Sequence, residues 1–383
     1  MAMDPEVIAN FLAEQREHTP DELIEAFLSI EENWDRKLWH QLTGVLEDYF
    51  SHPASAPQRL PLFRSFILSF ASKINQLKFV SLGLLAATQC SDDHERLQFL
   101  THLTEKVNKS ASQDAYVYSL VAATEVKLRL EDIESARKDF EKAGSILDTF
   151  DSVETEVHAA FYRINASYYQ KKLDFASYYK NALLYLACVD LAKLTEEEAR
   201  VRAYDLSVAA LVSDSIYNFG ELLLHPILNS LTGTEHDWLR ELLFAFNRGD
   251  LARYEALQSN LPKCSLLEER KIFLWQKISL SALTEAVFRR PPHDRAMTFE
   301  TISRETRVQP DEIELLIMKA LSLGLLKGTI DQVDSLASIT WVQPKVLDTK
   351  QIDNMRIRLK DWDSSVNQLG NRIEGIGKDI WAA

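Results

Sequence analysis

Apolar residues recur at intervals of three and four along most of the chain, from about residue 3 to residue 258. This spacing places them on one face of an α-helix, whereas a half-buried strand would alternate them every second residue. Residues that break helices are scarce, because the 383 residues include only 11 glycines and 11 prolines. The pattern therefore predicts a mainly α-helical protein in which each helix buries one apolar side.

A short junction recurs between the predicted helices. The segments DIESARK and DFASYYK, which begin at Asp132 and Asp174, share an aspartate, a serine three places on and a lysine six places on. Weaker copies begin at Asn218 and Asp250, so the steps between starts are 42, 44 and 32 residues. An Asp or Asn side chain can accept a hydrogen bond from a free N–H of the helix that follows it. Junctions at this interval predict helix-turn-helix repeats stacked into an α-solenoid.

The pattern changes near Ser259–Ser265. A helix is predicted over Ile272–Phe288, followed by a loop, Arg289–Met297, whose two prolines prevent helix continuation. A short helix that Thr298 caps and a third helix over Pro310–Leu325 come next. In this last helix, proline at the first turn and acidic residues beside it favour the helix start.

Two short strands are predicted after the third helix, over Leu326–Val333 and Ser338–Gln343. The second is expected to place Ile339 and Trp341 on one face. Three helices followed by a two-stranded wing is the order of a winged-helix module. Such modules often insert the third helix into the major groove of DNA, but here Pro310–Leu325 has a net charge of −2 and an acidic start. The free edge of the wing instead predicts pairing with a strand of another protein.

The last predicted element is a helix with a strict heptad pattern. Large apolar residues follow one another by steps of alternately three and four, and we call them the seam. The seam consists of Ile352, Met355, Leu359, Trp362, Val366, Leu369, Ile373, Ile376 and Ile380. This pattern favours left-handed winding around neighbouring helices. Burying all nine side chains contributes on the order of 10 to 20 kcal/mol before ordering costs.

Two arrangements of this helix are open. It can fold back along its own solenoid, or it can join a bundle with helices of other chains, which we favour. From Asp348 to Trp381 it would be about 50 Å long, more than the width of a winged-helix module. Three glycines, Gly370, Gly375 and Gly377, each cost a helix about 1 kcal/mol relative to alanine, so the first half should form more readily.

Charge and motifs narrow the function classes. The net charge of −14 disfavours a protein whose main ligand is nucleic acid or an anionic membrane. Three widely spaced cysteines, without a C-x-x-C pair, indicate reduced thiols in the cytosol or nucleus. The sequence lacks H-E-x-x-H, H-x-H and G-x-S-x-G, and Gly375–Asp379 departs from a phosphate-binding loop at two required positions. We therefore predict no catalytic residue, cofactor or metal.

Four segments carry a family resemblance. They are KLWHQLT (Lys37–Thr43), NFGELLLHPIL (Asn218–Leu228), Ile313–Asp334 and ITWVQPKVLD (Ile339–Asp348). With the order of repeats, winged helix and long helix, they resemble the PCI family. Its members are scaffold subunits of the proteasome lid, the COP9 signalosome and the translation-initiation scaffold, and the lid subunits are the most similar.

The resemblance implies a domain organisation and a function. TPR-like helical repeats would occupy residues 1–172 and a PCI domain residues 173–345, with a helical part over 173–268 and a winged helix over 269–345. Residues 346–383 would form a bundle helix. The implied function is a non-catalytic scaffold for lid assembly in ubiquitin-dependent protein degradation, in the cytoplasm and nucleus. Implied partners are other PCI subunits, the lid deubiquitinase pair and a ubiquitin receptor, with no nucleic acid and no membrane.

The predicted contact surfaces are the nine seam residues and four residues of the wing, Lys327, Thr329, Ile339 and Trp341. Three alternatives stay open at this point. The chain could serve a signalosome or initiation scaffold of the same architecture, a nucleic-acid adaptor of the mRNA-export kind, or an enzyme of unrecognised type whose site is assembled from distant residues.

Overall fold

The computed structural model describes residues 5–150, 154–291, 294–345 and 349–381. The chain divides into two compact units, Met1–Lys193 and Leu194–Ala383. Helices dominate both units, and the sheet found among the described residues lies in the second. The mainly helical fold predicted from the apolar spacing is confirmed.

The first unit is built from helices whose apolar faces meet in one core that includes Phe27, Phe50 and Phe66. A π-helical turn, Phe63–Ile67, joins α4 to α5. The α-helices described in this unit are α1 (Pro5–Glu17), α2 (Ile24–Asp35), α3 (Trp39–Ser51), α4 (Ala56–Leu62), α5 (Leu68–Phe70), α6 (Gln76–Ala87), α7 (Asp93–Val107), α8 (Gln113–Arg129), α9 (Ile133–Leu147), α10 (Thr155–Lys171) and α11 (Phe175–Cys188).

The second unit continues with helices and ends in a small sheet and one long helix. Its described elements are α12 (Glu196–Val212), α13 (Gly220–Leu224), α14 (Asp237–Arg248), α15 (Leu251–Leu257), α16 (Ser265–Glu269), α17 (Lys271–Arg289), β1 (Ala296–Thr298), α18 (Phe299–Thr306), α19 (Ile313–Ser322), β2 (Leu326–Asp331), β3 (Leu336–Val342) and α20 (Thr349–Trp381). The predicted domain boundary between residues 172 and 173 falls inside the α10–α11 hairpin, and it stays a prediction.

Three helix pairs, α8–α9, α10–α11 and α14–α15, are joined by the same turn. One residue in each turn has left-handed backbone geometry, and these residues are Glu131, Leu173 and Gly249. The next residue is an aspartate that accepts a hydrogen bond from the backbone N–H three places on, at 3.0 to 3.2 Å. The aspartates are Asp132, Asp174 and Asp250. The helix-turn-helix junctions predicted at these positions are confirmed.

The fourth predicted junction is different. Asn218 accepts a hydrogen bond from the Gly220 N–H at 3.1 Å and precedes the five-residue helix α13. No left-handed residue precedes Asn218 in the described part of this loop. The side chain is therefore a local cap and not the turn of a helix pair, which explains its weaker sequence match.

A buried lysine closes the end of α12. The Lys277 side chain, on α17, is fully buried, and its Nζ donates to the carbonyl oxygens of Ala210, Leu211 and Ser213 at 2.6 to 3.1 Å. These carbonyls have no partner within their own helix, as at any helix C-terminus. Burial lowers the pKa of Lys277 to about 7, and the Asp214 charge opposes that shift.

The winged-helix prediction is confirmed in its helices and corrected in its sheet. The three predicted helices are α17, α18 and α19, and the Thr298 side chain caps α18 by accepting from the Thr301 N–H at 3.3 Å. The sheet has three antiparallel strands in the order β1-β3-β2 instead of two. Sequence reasoning assigned β1 to a loop, because three residues are too few to show an alternating pattern. Their partners on β3 lie about forty residues away.

A β-bulge at Thr340 changes the predicted direction of Trp341. Gly328 lies opposite Ile339 and Lys327 lies opposite Trp341, which leaves Thr340 without a partner on β2. An extra residue shifts the alternation of side chains by one. Ile339 is therefore buried, at 5% exposure, while Trp341 is 38% exposed. The prediction that these two share a face is wrong, because a two-residue spacing keeps one face only in an unbroken register.

We expect Gly328→Ala to lower the free energy of unfolding of the second unit by about 2 to 4 kcal/mol. A Cβ at this position would overlap the Ser338 carbonyl oxygen and lie 2.9 Å from the Ile339 Cα. Both atoms belong to backbone, so the strands would have to separate. Urea unfolding measures the change. Thr329→Ala, at an exposed position of the same strand, is the control and should stay within about 0.5 kcal/mol of the parent. Equal stability of Gly328→Ala and the parent would contradict this packing.

Candidate interaction surfaces

The seam is exposed along α20. Seven of its nine side chains are described, and their exposed fractions run from 48% at Val366 to 68% at Trp362. The seven are Ile352, Met355, Leu359, Trp362, Val366, Leu369 and Ile373. The side chains of Ile376 and Ile380 lie outside the described residues. An apolar stripe of this length left in water marks a contact surface or an aggregation liability.

The alternative of a helix folded back on its own chain would have buried these seven side chains, and the structure does not show that arrangement. The helix continues through Gly370 to Trp381. Covering the seven side chains would contribute about seven ninths of the value for all nine, on the order of 8 to 16 kcal/mol before ordering costs. The free energy for association is therefore concentrated on one face of one helix.

The chain is held to the second unit just before α20 begins. Lys345 Nζ donates to the Asn247 carbonyl oxygen at 3.3 Å and lies 3.6 Å from Glu285 Oε2. Both charged side chains are largely buried, with 13% and 10% of their area exposed. Burial lowers the pKa of Lys345, and the charge of Glu285 opposes the shift. Sequence reasoning missed this anchor, because Lys345 lies 98 residues from Asn247 and 60 residues from Glu285, and the three form no motif.

Three of the four wing residues that were predicted to contact a partner are exposed. Lys327, Thr329 and Trp341 are exposed, and Lys327 Nζ lies 4.9 Å from the centre of the Trp341 ring, a cation–π distance. β2 is an edge strand of the sheet. Ile339 is corrected: its side chain belongs to the winged-helix core with Ile317, so it is not available to a partner.

Helix α19 has an exposed apolar face that sequence reasoning missed. Leu315 and Met318 are 65% and 51% exposed, and Leu323, just past the helix end, is 39% exposed. A winged helix that reads DNA would present cations on this helix, since phosphate contacts need Lys and Arg. The spacing of these residues was a usable signal, but the prediction considered only the charges of the helix.

A groove of about 740 Å³ lies in the first unit. Leu84, Leu100 and Ala160 are among its lining residues, and Arg163 pairs with Glu125 in its wall at 3.1 Å. Burial raises the pKa of both the Tyr118 hydroxyl and the Cys188 thiol in this lining, so both stay protonated and weakly nucleophilic at neutral pH. Among the described residues, no three His, Cys, Asp or Glu side chains are placed to hold a metal, and none of the described helices combines the length and apolarity of a membrane span.

Comparisons with known proteins assign most of the chain. Family models match residues 26–243 (PSD13 N-terminal repeats), 258–341 (PCI domain) and 345–377 (Rpn9 C-terminal helix). The third match covers most of α20 and with it eight of the nine seam residues.

Similar proteins match over nearly their whole length. "Probable 26S proteasome regulatory subunit rpn9" of Schizosaccharomyces pombe is 44% identical, over 99% of this chain and 100% of its own. "26S proteasome regulatory subunit RPN9" of Saccharomyces cerevisiae is 37% identical over 93% of both chains. "26S proteasome non-ATPase regulatory subunit 13" of Dictyostelium discoideum is 35% identical over 97% of this chain and 98% of its own. With the helical repeats, the winged helix and the exposed seam in place, this chain belongs to the Rpn9 family of 26S proteasome non-ATPase regulatory subunits 13.

Proposed function

We propose that this chain is a non-catalytic structural subunit of the lid of the 26S proteasome regulatory particle. It supports lid assembly for ubiquitin-dependent protein degradation in the cytoplasm and nucleus. The observation that carries the proposal is the exposed seam of α20, which the chain leaves uncovered and which lies in the segment matched as the Rpn9 C-terminal helix. A regular apolar stripe of this kind is typical of helices that pack against other helices.

In this proposal two surfaces of the chain, the seam and the wing, each bind different parts of the neighbouring subunits. The seam joins a bundle with helices of other subunits. The edge strand β2 pairs with a neighbouring winged helix, and the contact includes Lys327 and Thr329 of β2 and Trp341 of β3. The partners are other PCI subunits of the lid, the lid deubiquitinase pair and a ubiquitin receptor. Lys345 and Glu285 support this division, since they hold the root of α20 to the unit that contains the wing.

The alternative assemblies are less well supported. Full-length relatives carry the proteasome name, which favours the lid over a signalosome or initiation scaffold. The net charge of −14 and the apolar exposed face of α19 argue against a nucleic-acid adaptor. RNA binding at about 150 mM salt would reopen that function.

Deletion of Asp348–Ala383 tests the proposal. Because the described seam side chains are exposed and contribute to none of the described core clusters, we expect a folded, soluble remainder that no longer enters the particle. Tagged full-length and truncated chains are expressed in cells, and mass spectrometry identifies what co-purifies. Lid subunits should accompany the full-length chain and be absent with the truncated one. Normal incorporation of the truncated chain would remove the main support, and signalosome or initiation subunits in the full-length sample would reassign the assembly.

A further inference from the structure

The groove of the first unit contains an arginine whose charge is not compensated. Arg96, near the start of α7, is half-buried and belongs to the groove lining. Its Nε is buried without a hydrogen-bond partner, and no carboxylate among the described residues forms an ion pair with it. Two acids on the same turn are engaged elsewhere. Glu95 pairs with Arg64 at 3.0 Å, and Asp93 lies 3.9 Å from Arg129. A partly buried cation in this position is therefore open to an anionic partner.

The other charges of the lining are compensated or exposed. Glu125 accepts hydrogen bonds from both Arg129 and Arg163 at 3.1 Å. Glu156 and Asp190 are exposed, so solvent and salt screen their charges. The half-buried part of the groove is therefore left with one uncompensated positive charge, that of the unpaired arginine.

The groove has the length and the apolar surface to hold an extended chain. Helix α8 packs against α6, α7 and α10, and these four helices and the end of α11 supply the lining. The α10 side runs from Thr155 to Ile164, which is about 14 Å of helix. About four residues of extended chain have the same length. Solenoid proteins use concave surfaces of this kind to bind other molecules.

We propose that this groove binds an extended segment of another protein that carries an acidic side chain between apolar ones. The carboxylate accepts hydrogen bonds from the guanidinium of Arg96, and the apolar side chains pack on Leu84, Leu100 and Ala159 of the lining. A lysine at the central position would be repelled instead. The inference goes beyond the proposed function, since it concerns the first unit and does not depend on the association of α20.

Three fluorescein-labelled heptapeptides with capped ends test the chemistry of the occupant. Their sequence is Thr-Leu-Thr-X-Thr-Leu-Thr, where X is Glu, Gln or Lys, so that X and both leucines share one face of an extended chain. The full-length chain should bind the Glu peptide about tenfold more tightly than the Gln peptide at about 150 mM salt, because charge-assisted hydrogen bonds are the stronger ones. The Lys peptide should bind most weakly. Fluorescence anisotropy measures the three affinities.

Substitutions locate the preference in the groove. Arg96→Gln should bring the affinities for the Glu and Gln peptides to within about twofold of each other. Lys106→Gln removes the same charge from an exposed position of the same helix, outside the lining, and should keep the full preference. Ala159→Trp fills the groove and should weaken all three peptides by about tenfold or more. Ala187→Trp, at an exposed position outside the lining, should not. Thermal unfolding checks that each variant is folded.

Alkylation of Cys188 shows where the peptide lies. Cys188 is half-buried in the lining, and burial raises the pKa of its thiol, so the reaction with iodoacetamide is run at about pH 8.5. An unlabelled Glu peptide at saturation should slow this alkylation about fivefold by covering the thiol. The Lys peptide at the same concentration is the control and should leave the rate nearly unchanged. Mass spectrometry of the digested chain measures the modified fraction.

The outcomes are separable from those of the proposed function. The inference is overturned if the Glu peptide does not bind at about 1 mM, if the three peptides bind equally, or if Arg96→Gln keeps the preference. Displacement of the Glu peptide by an equal concentration of free glutarate would show a site for small carboxylates and not for a protein segment. Leu359→Glu should leave peptide binding unchanged even where it blocks particle entry. A failed groove therefore does not contradict the seam, and a failed seam does not contradict the groove.

Discussion

Glutamate at Leu359 and Leu369 together should exclude the full-length chain from the particle while its own fold stays intact. These side chains are 60% and 58% exposed, so their replacement should change the free energy of unfolding by no more than about 0.5 kcal/mol each. In a bundle, each leucine would contribute about 1.5 to 3 kcal/mol, and a buried carboxylate adds a further cost. A combined loss above about 4 kcal/mol weakens association roughly a thousandfold. Co-purification with lid subunits and thermal unfolding of the free chain measure the two effects separately.

Ile357→Glu is the matched control for this experiment. Ile357 is an apolar residue on the same helix with 45% exposure, but it lies at an outer heptad position. The same substitution there changes charge and hydropathy equally, so it should leave particle entry unchanged. If Ile357→Glu were as damaging as the seam substitutions, the contact face would be misassigned. If all three positions tolerated glutamate, helix association through the seam would be contradicted.

Lys277→Met should lower the free energy of unfolding by about 2 to 4 kcal/mol. Methionine fills a similar volume but cannot donate to the three carbonyl oxygens at the end of α12, which would remain buried without partners. Urea unfolding of the full chain measures the loss. Lys271→Met removes an exposed lysine from the same helix and should have little effect. A Lys277→Met variant as stable as the parent would show that the carbonyls find other donors.

The same lysine predicts a pH dependence. Its pKa is about 7 in the folded chain and about 10.5 in the unfolded chain. Between these values the unfolded chain holds a proton that the folded chain has released, so the contribution of this group to stability increases with pH. The stability difference between the parent and Lys277→Met should therefore widen from pH 7 to pH 10, by at most about 1.4 kcal/mol per unit. A constant or shrinking difference would contradict this assignment.

The seam is an example of a feature that the local sequence pattern alone predicts. A strict heptad of nine apolar residues can be read from neighbours in sequence, because a helix places residues three and four apart on one face. The same is true of the three aspartate-capped turns and of the Thr298 cap, since each joins groups at most three residues apart. These features needed no knowledge of the remaining chain.

The tertiary structure decided everything that depends on residues far apart. Distant partners decide whether the seam is covered and where β1 pairs. They also decide how the Thr340 bulge turns Trp341 outward and Ile339 inward, and which carbonyl oxygens accept from Lys277. The Lys345–Glu285 pair at the root of α20 is of the same kind. The sequence by itself determined which helices and caps form, because those depend on the local backbone. Only the fold decided which faces remain exposed for other molecules, because exposure is a property of the whole packed unit.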